Sequence, residues 1–187
     1  MRKLKLQVQT TIDGFMGGPN GEMDFIHFPW TKDIEQYVTD LTEPVDSILL
    51  GRKLAEGFIP HWAGVAADDT NPEQAAGKKF TDTPKIVFSN TLKNSPWDNT
   101  TVTAGPLTDV VNQLKQQEGG DIIVYGGNRF VQDLIKAELI DELYLFINPS
   151  AIGKGMPVFG SLEQKKAYQL QDAIKFDCGI LVLKYSI

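Results

Sequence analysis

Apolar and polar residues alternate from the start of the chain. Leu4, Leu6, Val8, Thr10 and Ile12 fall on one face, and Lys3, Lys5, Gln7 and Gln9 on the other. A period of two predicts a strand. The strand runs into Asp13-Gly14-Phe15-Met16-Gly17-Gly18-Pro19-Asn20-Gly21, where Gly and Pro mark a loop. The period then changes. Ile34, Tyr37, Val38 and Leu41 keep the spacing of one helix face. Thr31 is placed to cap that helix, and Asp33 and Glu35 occupy its first turn, where the dipole favours acids.

Ser47 to Gly51 reads as a short apolar strand, and Gly51-Arg52-Lys53 turns the chain into a short helix expected to end near Gly57. Residues 59 to 84 are the least regular. Asn71-Pro72-Glu73 there resembles a helix start with Pro at the first position. Lys85 to Ser89 and Thr100 to Thr103 are two further strands. Leu107, Val110, Val111 and Leu114 form a helical stripe that stops at Gly119-Gly120. Ile122 to Tyr125 is apolar throughout, as a central parallel strand should be. Gly126-Gly127-Asn128 leads into a helix through Phe130, Val131, Leu134 and Ile135, and Glu142 to Asn148 is another strand. Tyr168 to Phe176 and Ile180 to Tyr185 flank Asp177-Cys178-Gly179, a hairpin signal. No repeat or linker interrupts residues 1–187, so one domain is expected. Strand and helix alternate and a hairpin follows. That order predicts an α/β fold with a mostly parallel sheet and an antiparallel edge. Ligands of such sheets sit beyond the carboxyl ends of the strands.

Composition narrows the functions this fold is expected to serve. Over 187 residues, 18 basic against 24 acidic side chains give a formal charge of −6. That balance argues against a general nucleic-acid binder. The single cysteine, Cys178, forbids an intrachain disulfide and a four-cysteine zinc site. No stretch reaches the roughly 18 apolar residues of a membrane helix, and no apolar signal segment follows Met1 to Lys5. A cytoplasmic protein without membrane partners is the expectation.

Three glycine-bearing turns follow strands: Asp13-Gly14, Gly51-Arg52 and Gly126-Gly127. All three fall on the carboxyl edge. A strand passing through glycine into a helix presents free N–H groups to an anion. Arginine occurs only at positions 2, 52 and 129, so Arg52 and Arg129 stand just after two of these turns. Its planar fork suits phosphate. Neither the usual dinucleotide fingerprint nor the P-loop is present. His27 and His61 have no metal spacing, and no metal is expected.

These residues carry a resemblance. Thr11-Ile12-Asp13-Gly14-Phe15, Leu50-Gly51-Arg52-Lys53, Val87-Phe88-Ser89-Asn90-Thr91-Leu92, and Val124-Tyr125-Gly126-Gly127-Asn128-Arg129-Phe130-Val131 resemble the dihydrofolate-reductase-like superfamily. So do Leu139 to Leu143 and Asn148 to Phe159. The nearest branch is the reductase domain of the bifunctional riboflavin-biosynthesis deaminase-reductase. The resemblance implies that family's three-layer fold and an NADPH-dependent reductase of a pterin-like or pyrimidine-like heterocycle. It assigns Gly51, Arg52 and Lys53 to the adenosine phosphates, and Ser89 and Asn90 to the adenine ribose with its 2′-phosphate. It assigns Gly126 and Gly127 to the pyrophosphate, with Asn128, Arg129 and Phe130 opening the next helix. A cis peptide between the two glycines, a homodimer, and a lid over residues 15–23 are also implied.

Two departures stand out. Leu54 occupies a position where folate reductases usually carry Thr, and with one cysteine these residues are expected to lack the zinc-deaminase half. Hydride transfer to a C=N or C=O bond needs a proton nearby. Asp33, Glu35 and Asp13 are the candidate donors. Two other readings are a nucleotide-binding module without turnover and a flavin-binding redox domain.

Overall fold

The computed structural model describes residues 1–186. In chain order its elements are β1 (Leu4–Thr10), α1 (Lys32–Thr42), β2 (Val45–Gly51), α2 (Arg52–Ala67), α3 (Gln74–Asp82), β3 (Lys85–Phe88) and β4 (Thr100–Thr103). There follow α4 (Leu107–Gln116), β5 (Asp121–Val124), α5 (Asn128–Lys136), β6 (Glu142–Ile147), β7 (Gln169–Lys175) and β8 (Leu181–Ser186). The strands form one sheet in the order β4-β3-β2-β5-β1-β6-β8-β7. β1 through β6 pair in parallel, whereas β8 runs antiparallel to β6, and β7 to β8. This is the α/β architecture with an antiparallel C-terminal pair that the element order predicts.

Helices cover both faces. On one, Leu4, Leu6 and Val8 of β1 pack with Val124 of β5, Val111 of α4, and Val131, Leu134 and Ile135 of α5. On the other, Ile34 and Leu41 of α1 cover Tyr144 and Phe146 of β6, and Ala55 and Ile59 of α2 cover β2, β3 and β5. Because β1 is central, its polar face is buried as well. Lys5 and Gln7 are each only 6 % exposed. Lys5 Nζ pairs with Asp121 Oδ2 at 2.8 Å, whereas Gln7 Oε1 is buried without a hydrogen-bond partner among the described residues. The strand ends at Thr10, and Ile12 is exposed beyond it.

The stretch around residues 52–82 departs most from expectation. α2 does not stop at Gly57 but continues through Pro60 to Ala67, which places His61 in a helix. The buried stripe Ala55, Ile59 and Val65, with Trp62 against Phe80 at 4.4 Å, outweighs the two breakers. Pro72 is not the first residue of α3. Asn71 Oδ1 accepts the Glu73 N–H in a turn, and the helix starts at Gln74. α3 packs on α2 through Gly77, where a Cβ would lie 2.7 Å from the Ala66 backbone N. Lys85 Nζ then donates to the carbonyls of Phe80, Thr81 and Thr83, tying the end of α3 to β3.

The glycines of this pair of helices should respond oppositely to alanine. Gly57 has open space at its missing Cβ, so Gly57→Ala should stabilise by about 0.5–1 kcal/mol. Gly77→Ala should destabilise by about 1–3 kcal/mol through overpacking. Chemical denaturation of the two variants checks both signs.

At the amino-terminal end of the sheet, Glu142 lies with its side chain 10 % exposed. Burial alone would raise its pKa. Donation from Lys3 and from the Tyr144 hydroxyl, with the charge of Lys184 nearby, prevails and holds it below the usual value of 4.5. A depressed carboxyl stabilises the fold above its unfolded pKa and loses that contribution as pH falls through the folded value. Stability measured from pH 6 down to pH 3 should therefore fall less steeply in Glu142→Gln than in the unaltered protein.

Candidate functional site

The parallel strands end together on one edge, and the loops leaving them enclose a cavity of about 1020 Å³. Val8 and Gln9 of β1, Gly51 of β2, Phe88 of β3 and Thr103 of β4 reach it from the sheet. All ten residues expected at the cofactor line it: Gly51, Arg52, Lys53, Ser89, Asn90, Gly126, Gly127, Asn128, Arg129 and Phe130. They come from three separate strand ends, brought side by side because β2 lies between β3 and β5.

Local contacts hold these groups in place. Gly51 leaves room for Phe130, whose Cβ would be 3.0 Å from any Cβ at position 51. Phe130 also packs on Phe88, with ring centres 5.0 Å apart. Ser89 Oγ accepts the N–H groups of Thr91 and Leu92, which shapes the turn after β3 and leaves Asn90 exposed. Arg52 pairs with Glu56 one helical turn on, at 2.5 Å. Asn128 Nδ2 donates to the Pro157 carbonyl, linking the start of α5 to the loop after β6. Leu54, where the resemblance leads one to expect Thr, packs against Gly126 and Gly127. The peptide between those glycines is trans, contrary to expectation, since among the described residues only Phe28–Pro29 is cis. The turn is made instead by positive φ angles, 156° at Gly126 and 87° at Gly127.

Electrostatically the cavity is lopsided. Arg52, Lys53 and Arg129 bring positive charge beyond β2 and β5, and Asp133 is the one carboxylate in the lining. Free N–H groups at the starts of α2 and α5 point the same way, because neither helix has a side-chain cap. The other end is uncharged, formed by β1 and the loop after it. Residues 15–23, expected as a lid, are joined to the loop near Met156. Met16 N donates to Met156 O, and Met156 N to Gly17 O, each at 2.8 Å.

The three candidate proton donors lie elsewhere. None of Asp33, Glu35 and Asp13 lines the cavity. Asp33 Oδ2 accepts the Asp177 N–H at 2.9 Å, and the Thr31 hydroxyl, with that N–H, holds its carboxyl below the ordinary range. Asp13 is likewise held down, by Thr11 and by the N–H groups of Gly153 and Ile152. Both carboxylates are thus ionised clamps between loops. Glu35 is exposed on α1. Thr31 does not cap α1 as expected, for its hydroxyl meets Asp33 and accepts the Cys178 N–H.

Residues not anticipated also line the cavity. Gln9, Met156, Thr103 and Tyr125 are among them, and Met16 enters from the segment expected as a lid. Tyr125 stacks on Phe58 at 5.5 Å, and burial pushes its hydroxyl pKa far up. The one available signal was for Gln9, as a polar residue on a strand that proves to be central.

Comparison with known proteins bears on the fold and the family. Bacillus subtilis YyaP, itself uncharacterised, is 31 % identical over 188 residues, covering 98 % of this chain and 94 % of its own. A structure from Shewanella sp. PV-4, assigned provisionally to riboflavin biosynthesis, superposes with a TM-score of 0.77 at 22 % identity. It covers 100 % of this chain and 98 % of that one. The Thermotoga maritima diaminohydroxyphosphoribosylaminopyrimidine deaminase/5-amino-6-(5-phosphoribosylamino)uracil reductase gives a TM-score of 0.70 at 16 % identity, covering 99 % of this chain and 56 % of that one. These likenesses support the dihydrofolate-reductase-like fold. With the RibD C-terminal domain model matching residues 2–182, the chain belongs to the RibD C-terminal domain family.

Proposed function

We propose that the protein is an NADPH-dependent reductase of a pterin-like or pyrimidine-like heterocycle. The observation that carries this reading is the joining of ten residues from three strand ends around one cavity, cationic at one end and neutral at the other. Arg52 and Asn90 are assigned to the 2′-phosphate, with Ser89 shaping the turn that presents Asn90. Gly51 and Lys53 take the adenosine phosphates. The backbone of Gly126, Gly127 and Asn128, together with Arg129, takes the pyrophosphate at the start of α5, where the helix dipole favours an anion. Phe130 buttresses Gly51. When bound, NADPH supplies the hydride, and the neutral β1 end receives the rings between which it passes.

A second reading is a nucleotide-binding module without turnover. It draws on the placement of Asp33, Glu35 and Asp13 outside the cavity. One pair of measurements decides. Under the reductase reading NADPH raises the melting temperature more than NADH at equal concentration, and NADPH absorbance falls steadily with a pterin or aminouracil. Equal shifts would remove the basis for the 2′-phosphate assignment. A selective shift with no absorbance loss across such heterocycles would favour the binding module.

A further inference from the structure

The uncharged end of the cavity carries two side-chain amides, Gln9 and Asn20, and Asn20 Nδ2 already donates to Glu22 Oε1 at 2.7 Å. Val8, Met16 and Met156 are apolar there, and Gln9 projects from β1 beside them. In the β1–β6 register Gln9 stands next to Phe146, whose ring stacks with Trp30 at 6.5 Å. Phe146 is fully buried behind the cavity wall, and a flat, neutral ring suits the apolar lining of Val8, Met16 and Met156.

The amide of Gln9 has no choice of which atom it shows. Backbone groups, whose hydrogen-bonding sense is fixed, surround its partner Asn148. The His27 N–H can only donate, and it meets Asn148 Oδ1 at 2.9 Å. The Thr10 and Phe146 carbonyls can only accept, and Asn148 Nδ2 lies 3.2 Å from each. Asn148 is fully buried, so solvent does not compete for these bonds. Its orientation is therefore settled by the backbone. The same Nδ2 lies 2.9 Å from the Gln9 amide, and only an oxygen can accept there. Gln9 Oε1 is thus committed to Asn148. Gln9 Nε2, left without a partner among the described residues, is the atom available to the cavity.

We propose that Gln9 orients the ring bound at this end by donating from Nε2 to a carbonyl oxygen on that ring. The acceptor is either the carboxamide of the nicotinamide or a carbonyl of the heterocycle to be reduced. Which ring arrives rests on the reductase reading; the donor does not. A site that presents a fixed donor favours rings carrying an acceptor over analogues that lack one.

The test compares the unaltered protein with Gln9→Leu and Gln9→Glu by calorimetric titration. Glutamate keeps an oxygen opposite Asn148 Nδ2, so the fold is preserved while the outward donor is lost; melting temperatures confirm this. The probes are NADPH, the same cofactor without its nicotinamide (2′-phospho-ADP-ribose), and lumazine, a neutral pterin-like dione. Both variants should bind at least one ring-bearing probe about tenfold more weakly, and the ring-less fragment unchanged. Loss confined to NADPH assigns the acceptor to the carboxamide, and loss confined to lumazine assigns it to the substrate ring. Equal affinities for the ring-bearing probes in all variants overturn the proposal, as does unaltered protein that binds neither ring. Binding of lumazine with no binding of either cofactor probe overturns the reductase reading alone, and the lumazine arm still decides on Gln9.

Discussion

Phe146→Ala should cost about 3–5 kcal/mol of folding stability, the usual toll for emptying a buried aromatic site. Phe146 is completely buried on β6. Its ring meets Trp30 at 6.5 Å and Tyr37 at 6.2 Å, and it shares a cluster with Ile34, Ile180 and Val182. It therefore joins α1, the parallel part of the sheet and the antiparallel hairpin in one contact set. These neighbours come from two stretches of chain besides β6 itself, so collapse around the vacancy is restricted and the cavity term persists. For a chain of this size the melting temperature should drop by about 10 °C or more. Phe28→Ala is the internal control. Phe28 stacks on the same Trp30 at 5.8 Å but is 60 % exposed, so its loss should cost well under 1 kcal/mol. Urea denaturation of both variants measures the difference. Equal costs would mean that the cluster does not hold α1 and the hairpin to the sheet.

How far the fold is legible depends on whether a residue's role is decided locally. Strands with clear punctuation lie where the period puts them. Thr100–Thr103 coincides with β4, and the apolar run at 122–125 overlaps β5 within a residue at each end. Local signals mislead at α2. Gly57 and Pro60 argue for an early stop, but the stripe from Ala55 to Val65 has a sheet and α3 to pack on, and tertiary burial overrides the breakers. β1 errs in the opposite way. Alternation of Lys5, Gln7 and Gln9 with apolar neighbours suggests a wet face, whereas β1 lies in mid-sheet with α1 over that face. Nothing within β1 announces that Asp121 will meet Lys5 there.

The same distinction runs through the site. Glycine turns at strand ends are written in consecutive residues, and a parallel sheet delivers consecutive strand ends to one edge. The assembly of Gly51, Ser89 and Gly126 around one cavity follows from that alone. The carboxylates are another matter. Asp33 and Asp13 are engaged by backbone N–H groups 144 and 140 residues away, at Asp177 and Gly153. A first-turn acid and a loop acid look available in sequence because the loops that occupy them come last in the chain. Gln9 is the converse, an unremarkable strand residue whose orientation is settled by Asn148, 139 positions further on.

Under the proposed reductase reading, Arg52→Ala should separate cofactor binding from folding. Arg52 opens α2 and lines the cavity, and its side chain is 35 % exposed. Among the described residues its one ionic partner is Glu56, four residues on, itself half exposed. An exposed pair at that spacing contributes only about 0.3–0.5 kcal/mol, and Ala is the better helix former, so the melting temperature of the unliganded variant should barely move. Binding should change far more. The guanidinium has five N–H donors and Glu56 engages one nitrogen, Nη1, so a fork remains for a phosphate. Bonds between charged groups are worth about 1.5–3 kcal/mol each, so NADPH affinity should fall roughly 10- to 100-fold. NADH lacks the 2′-phosphate and should lose much less, which brings the two cofactors close to parity. Glu56→Gln provides the complementary arm. Removing the competing carboxylate leaves the whole fork to the ligand and should tighten NADPH binding, most visibly at low ionic strength, where exposed charges are least screened. Fluorescence titrations with both nucleotides in the three proteins give the comparison. An Arg52→Ala variant that still prefers NADPH by the original margin would move the 2′-phosphate away from the start of α2, leaving Lys53 and Arg129 as the cations to test next.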